Sequence, residues 1–270
     1  MSILQAFVLG IVQGITEYLP VSSSAHLLLT PYFLGWSLNK DINFVFNVLI
    51  QLGTLFGVFV YFSKDIWSIT VSFLQGIKIR KPFHNEDAKL GWLLIIATIP
   101  GAFFGITFKN NIVPYFSSVK STFLFLLVTA CLLILAEYFS NDRKTTVKVR
   151  HALFMGFAQS LALFPGISRS GSTIAFGVFF GLTRAAAARF SFLMSIPIMF
   201  GACAVALDDV LLSDELLSAL WQPLLVGFTA AAISGYFVIR WFLGFLRQRS
   251  LYWFAAYCMG LSLVGLYVYS

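Results

Sequence analysis

Two short stretches carry the residues whose types and spacing could do chemistry: QGITEYLPVSSSAH, from Gln13 to His26, and PGISRSGST, from Pro165 to Thr173. In the first, Gln13 and Glu17 are four residues apart and so share one face of a helix. Pro20 breaks that helix, and a new start near Ser22 would offer hydroxyl caps and free backbone N–H groups. His26 follows, so a carboxylate, hydroxyls and an imidazole converge at a helix start. In the second stretch Gly166 and Gly171 permit close backbone approach, while Ser168, Ser170, Ser172 and Thr173 offer short donors. Arg169 adds a guanidinium fork that matches phosphate oxygens. Together these groups suit a phosphorylated ligand. Amides at a helix N-terminus bind anions, Arg stabilises charge on a transferring phosphoryl group, and Glu or His can move the proton that hydrolysis requires.

The elements that must position them are apolar. Of 270 residues 59% are hydrophobic and 11% charged, against about 25% charged in a soluble domain. Six runs, Ile42 to Ser63, Leu90 to Phe108, Ser121 to Ala136 with its flanks, Phe190 to Leu207, Trp221 to Ile239 and Leu251 to Ser270, approach the ~20 residues that cross about 30 Å of hydrocarbon. The chain therefore reads as an all-α polytopic membrane protein. An ionised side chain at the bilayer centre costs roughly 3 kcal/mol, which makes Glu17, His26 and Arg169 functional by default. The 18 Lys+Arg against 11 Asp+Glu lie between hydrophobic runs rather than in a patch, which excludes nucleic acid as a partner. Cys131, Cys203 and Cys258 fall singly in apolar runs and read as packing. The N-terminus lacks a basic signal-peptide region, so the first segment is expected to be retained.

Residues 2–36 and 151–183 are apolar but interrupted by polar residues, Pro and Gly. Broken backbone at membrane depth needs protein or water around it, so each reads as a re-entrant helix hairpin. An offset of 146 residues aligns Ala6, Gly10, Gln13, Ser22, Ser24, Gly35, Phe44, Phe46 and Ile50 with identical residues, nine matches where about three are expected by chance. The expected organisation is an inverted-topology repeat, residues 1–140 and 141–270, each half one hairpin plus three transmembrane helices. Loop charge orients it. Residues 63–89, 141–151, 184–189 and 240–249 hold fourteen of the basic residues, while the other side holds Lys40, Lys109 and Lys120 with Asp208, Asp209, Asp214 and Glu215. The basic side is expected to be cytoplasmic, with both termini outside and the hairpin tips meeting near the midplane. Residues 65–77 read as an interfacial helix, and Glu137 as a side chain snorkelling to the interface.

Blander readings accompany each residue. Serines in membrane helices often bond back to their own backbone, glutamines often join helices, and Arg169 could serve to neutralise Glu17. A transporter or lipid flippase shares the inverted-repeat architecture, but a carrier needs no nucleophile, and Ser23 and His26 beside Glu17 favour an enzyme. An anion channel would call for more basic pore residues than Arg169.

At these two stretches the chain resembles the bacitracin-resistance family of undecaprenyl-diphosphate phosphatases. QGITEYLPVSSSAH matches its [E/Q]xxxE motif with the following Ser/His segment, and PGISRSGST matches its second signature. The resemblance implies hydrolysis of undecaprenyl diphosphate to undecaprenyl phosphate and inorganic phosphate, which recycles the lipid carrier for peptidoglycan synthesis and confers bacitracin resistance. It also implies a divalent cation, Mg²⁺ or Ca²⁺. The expected location is the bacterial cytoplasmic membrane, with the site opening to the periplasmic side. Expected partners are the polyprenyl diphosphate, membrane lipids and, in a homo-oligomer, further copies of the chain. Carried over by position, Glu17, Ser23, His26 and Arg169 are the catalytic candidates and Glu17 the metal ligand. Gln13, Ser22, Gly166, Ser168, Ser170 and Thr173 are the substrate-binding candidates. Gln13 is the amide variant of the motif's first position, which leaves Glu17 as the main carboxylate. Ser23, His26 and water stay open as the nucleophile.

Overall fold

A computed structural model describes residues 1–112, 118–140, 144–210 and 214–269. Arg143 and Ser270 lie outside them, as do the side chains of Lys40, Phe44, Lys109, Asp208, Asp209, Asp214 and Glu215. The described residues form eleven helices and no strands: α1 Ile3–Thr16, α2 Ser23–Phe33, α3 Lys40–Tyr61, α4 Ser63–Lys78, α5 Glu86–Ile112, α6 Val119–Tyr138, α7 Val149–Leu161, α8 Arg169–Phe179, α9 Arg184–Val210, α10 Asp214–Phe245 and α11 Tyr252–Val268.

Local chemistry sets the boundaries. A capping box starts α1: Ser2 Oγ accepts from Gln5 N at 3.1 Å while Gln5 Oε1 accepts from Ser2 N at 2.8 Å. The chain between α1 and α2 contains Pro20, which has no N–H to continue a helix. Ser22 then takes φ +68°, a left-handed backbone that is uncommon outside glycine, as the N-cap of α2. The corresponding break between α7 and α8 is made at Pro165-Gly166, where Gly166 has φ +107°. Both interrupted regions are thus helix, break, helix, as their sequences imply.

Small residues let the paired helices approach. A Cβ on Gly10 of α1 would stand 2.4 Å from the Gly227 carbonyl oxygen of α10, and one on Gly156 of α7 would stand 2.6 Å from the Ala97 carbonyl oxygen of α5. So α1 packs on α10 and α7 on α5, while α3 also lies along α10 and α6 along α11. The interior between them is apolar, with a main cluster that includes Tyr18, Val58, Leu126, Phe192 and Phe242 and a smaller one of Ala6, Leu9, Leu27, Phe46 and Ile50. The outside is apolar too: Phe103, Ile106, Trp221, Phe237 and Val264 are exposed, as lipid-facing residues are.

Among the described residues Glu86–Phe108, Val119–Tyr138, Arg184–Ala204 and Trp221–Phe245 are long and apolar enough to cross a membrane, and the pair Val45–Tyr61 with Ser63–Lys78, bent by 79°, brings the number to five if counted as one span. The chain is a multi-pass membrane protein. Helix α11 is shorter than the apolar run that contains it: 17 residues, or about 26 Å at 1.5 Å per residue. The bend places α4 across the end of α3, with Trp67 exposed.

The segments grouped by their positive charge assemble at one end of the bundle. Lys144 pairs with Leu182 as an isolated bridge, Arg189 Nη2 lies 3.1 Å from Asp65 Oδ1, and a cavity of about 290 Å³ there is lined by Tyr61, Thr145, Thr183, Arg189, Leu243 and Arg247. At that end Glu137 corrects the sequence reading. It does not reach out to the interface; it is buried and takes Arg184 in a two-pronged pair, Nε to Oε1 at 2.7 Å and Nη2 to Oε2 at 2.5 Å. Its Oε1 also accepts the Leu251 N–H at the start of α11. The carboxylate thereby caps a helix that has no side-chain cap of its own.

Candidate active site

Helix α1 presents Gln13 and Glu17 from one face, and Gln13 Nε2 donates to Glu17 Oε2 at 2.9 Å. Both are buried. Ser23, the first residue of α2, donates its Oγ to the same Oε2 at 2.7 Å. The other carboxylate oxygen, Oε1, receives Arg169 Nη2 at 2.6 Å. Arg169 is the first residue of α8, so the two hairpins, far apart in sequence, join at the Glu17 carboxylate. The guanidinium also stands over the Tyr18 ring, 5.7 Å from its centroid, and a cation at an aromatic face is favourable where water is scarce.

Two buried polar atoms of this cluster have no partner: Gln13 Oε1 and Arg169 Nη1. Buried polar groups are normally paired. An unused acceptor and an unused cationic donor, on residues bound to one carboxylate, mark a place for a polar ligand. The first-turn amides of Ser23 and Ser24 in α2, and of Arg169 and Ser170 in α8, also lack a partner among the described residues, and such N–H groups favour anions.

The remaining candidates hold the two tips together. Ser22 Oγ accepts from Ala25 N and lies 3.1 Å from Ser24 Oγ; Ser168 Oγ accepts from Gly171 N and lies 3.1 Å from Ser170 Oγ. The two caps, 146 residues apart, make the same side-chain bonds on different backbone, φ +68° at Ser22 and −71° at Ser168. Between the tips, Gly166 N donates to Ser24 Oγ at 3.3 Å and Ser170 Oγ donates to the Leu19 carbonyl at 2.8 Å. Thr173 sits one turn deeper, its Oγ1 within 2.6 Å of Ser191 Oγ and bonded to the Arg169 carbonyl. The structure therefore brings Gln13, Glu17, Ser23 and Arg169 into one bonded cluster, and places Ser22, Gly166, Ser168, Ser170 and Thr173 in the scaffold around it.

His26 lies apart from Glu17's hydrogen bonds. Its Nδ1 is 2.8 Å from the Ser22 carbonyl oxygen, and its Nε2 is 2.7 Å from the Tyr257 hydroxyl on α11.

Sequence reasoning missed the residues that buttress the cluster. Thr54 of α3 accepts from Gln13 Nε2 at 3.4 Å, Thr129 of α6 ties Ser168 N to the Gly166 carbonyl, and Met199 Sδ of α9 lies 3.5 Å from Arg169 Nη2. The threonines were findable as hydroxyls inside apolar runs. Tyr257 was not, since tyrosines are common in membrane helices and nothing in the spacing points from α11 to His26.

In metal terms the cluster is sparse. Among the described residues no three His, Cys, Asp or Glu side chains gather, so the protein's own donors are Glu17 and the unused Gln13 Oε1.

A family profile described as "Bacitracin resistance protein BacA" matches residues 6–264. The chain belongs to this family. Curated relatives include an "Undecaprenyl-diphosphatase" of Caldicellulosiruptor bescii, 42% identical over 274 residues, covering 100% of this chain and 98% of the relative. Proteins of the same name match from Chloroherpeton thalassium, at 41% identity with 95% of this chain and 93% of the relative covered, and from Mycolicibacterium smegmatis, at 40% identity with 98% and 96% covered. Family membership extends beyond the two motif stretches to nearly the whole chain, so the helices that carry Thr54, Thr129 and Met199 belong to it as much as the hairpins do.

Proposed function

We propose that this BacA-family chain hydrolyses undecaprenyl diphosphate to undecaprenyl phosphate and inorganic phosphate at the Glu17 cluster. The observation that carries the reading is the bond from Ser23 Oγ to Glu17 Oε2 at 2.7 Å, with Arg169 on the opposite oxygen at 2.6 Å. A hydroxyl bound to a carboxylate is an activated nucleophile. Ser23 Oγ attacks the terminal phosphorus and gives its proton to Glu17. The bond to the bridging oxygen breaks, and undecaprenyl phosphate leaves. Arg169, through its unused Nη1, and the first-turn amides of α2 and α8 hold the phosphoryl oxygens as charge moves onto the leaving group. Water then cleaves the phosphoserine, with Glu17 holding the proton that returns to Ser23. His26 takes the proton that the attacking water loses and passes it to the departing phosphate; it does so through Nε2, from which the Tyr257 hydroxyl must give way, because Nδ1 is bound to the Ser22 carbonyl. Ser22, Ser168, Ser170, Gly166 and Thr173 serve the substrate by setting the two tips.

A divalent cation, Mg²⁺ or Ca²⁺, fits the donor set: Glu17 and the orphaned Gln13 Oε1 are hard oxygen ligands, with substrate and water supplying the rest. When bound, it neutralises diphosphate charge that one guanidinium leaves unbalanced.

The matched caps at Ser22 and Ser168, and the matched glycine contacts at Gly10 and Gly156, support an inverted repeat of residues 1–140 and 141–270 with the hairpins as its re-entrant elements. The basic end then faces the cytoplasm of a bacterial inner membrane, and the site opens to the outer side. There, turnover consumes the lipid diphosphate that bacitracin sequesters and recycles the carrier for peptidoglycan synthesis.

The test is phosphate release from farnesyl diphosphate by purified protein in detergent, where transport cannot produce product. Wild type should release phosphate and Ser23→Ala should not. Absence of release from folded wild type, or full release by Ser23→Ala, refutes the reading.

A further inference from the structure

Tyr257 lies against His26 in two ways at once. Its hydroxyl is 2.7 Å from His26 Nε2, and the two rings are near parallel, 5.7 Å between centroids at an interplanar angle of 13°. On the other side of the imidazole, Nδ1 lies 2.8 Å from the Ser22 carbonyl oxygen. A carbonyl only accepts, so Nδ1 carries a hydrogen and Nε2 is the nitrogen whose protonation changes. With Nε2 bare, the phenol donates to it; with Nε2 protonated, the phenol oxygen accepts from it. A hydroxyl serves both states, whereas a backbone N–H or carbonyl serves one.

The position of the phenol is set from elsewhere. The next residue, Cys258, donates its Sγ to the Pro20 carbonyl at 3.5 Å, tying α11 to the break of the first hairpin. Tyr257 is half exposed, whereas Cys258 is fully buried, so the phenol stands at the margin of the site on a helix anchored beneath it. None of this serves to pack the core. A phenylalanine ring would fill the same space.

We infer that Tyr257 is a positioning residue for the reaction: it aims the Nε2 of His26, whose Nδ1–H tautomer the Ser22 carbonyl sets, and partners that nitrogen in both protonation states whenever the reacting water or phosphate does not occupy it. The inference rests on His26 acting as described under Proposed function. It assigns α11 a part in the chemistry, through a residue outside both sequence motifs.

The test compares wild type, Tyr257→Phe, His26→Asn and the double variant, in detergent with farnesyl diphosphate. It adds ¹⁵N spectra of histidine-labelled protein without substrate, in which His26→Asn identifies the His26 signals. Tyr257→Phe keeps the ring and should melt with wild type. Its kcat should fall about tenfold, the scale of one neutral hydrogen bond lost from a transition state, while KM holds within about twofold. The His26 Nε2 signal should move, and those of His84 and His151 should stay. Added to His26→Asn, Tyr257→Phe should cost nothing further, because coupled residues are not additive. Unchanged kcat in a Tyr257→Phe protein whose Nε2 signal has moved overturns the inference while leaving the contact real. An unmoved Nε2 signal overturns the contact itself. A further tenfold loss in the double variant shows that Tyr257 acts elsewhere. Full activity of His26→Asn overturns the inference through the His26 assignment, and leaves the Ser23 and Glu17 reading to its own test.

Discussion

Arg169 and Glu17 are 152 residues apart in sequence and 2.6 Å apart in space, each supplied by a different broken helix. The pair is nearly dry, with side chains 14% and 8% exposed. It leaves Arg169 Nη1 buried and unused, so one arm of the fork holds the base while the other stays available to an anion.

That geometry makes charge alone insufficient at position 169. Arg169→Lys keeps the charge but has one nitrogen where the site uses two, so turnover should fall at least ~100-fold, as for removal of one transition-state donor. Phosphate release by protein that melts like wild type checks this, and near-normal release would remove the fork from the mechanism.

Replacing Gln13 with Glu sets a second carboxylate where Gln13 Nε2 now donates to Glu17 at 2.9 Å. Like charges at that distance repel unless a cation lies between them. Gln13→Glu should therefore melt below wild type in chelator and recover on adding Mg²⁺, with activity half-saturating at lower metal. Glu17→Gln removes the base and Arg169's partner and should be inactive at any metal concentration. Full wild-type turnover in excess chelator would sink the metal role.

The buried pair of Glu137 and Arg184 lies at the basic end, away from the cluster. Glu137→Gln strips the charge facing Arg184 and weakens the acceptor for Leu251 N, and breaking a buried pair costs about 3 to 5 kcal/mol. Thermal or denaturant unfolding in detergent should show the loss, while turnover per folded molecule stays within about twofold. A stable variant with lost turnover would place Glu137 in the reaction.

Orientation can be read with thiols. In protein with Cys131, Cys203 and Cys258 replaced, a cysteine at exposed Ser37 should label from outside intact cells, and one at exposed Thr145 should not. The opposite pattern would put the basic end outside and the site's opening on the cytoplasmic face.

Much of this protein is written in local pattern. Apolar runs of membrane length, Pro20 and Pro165-Gly166 as breaks, and Ser22 as a cap follow from what neighbouring residues permit. They point to the apolar helices, to the two breaks and to the polar residues that meet at Glu17. Glu17 and Arg169 were conspicuous because ionised groups are expensive among so many apolar ones. Local pattern could not say which polar atoms meet. That Ser23 rather than His26 bonds Glu17 depends on how the chain turns at the first hairpin's break, while Glu137 turning inward to cap α11 and Tyr257 reaching His26 depend on how helices far apart in sequence cross. Crossing is set by side-chain shape over many contacts, as where Gly10 and Gly156 admit a neighbour's backbone, and its information is spread over residues hundreds of positions apart. The residue types present are a property of the sequence; which oxygen faces which nitrogen is decided only when the helices pack.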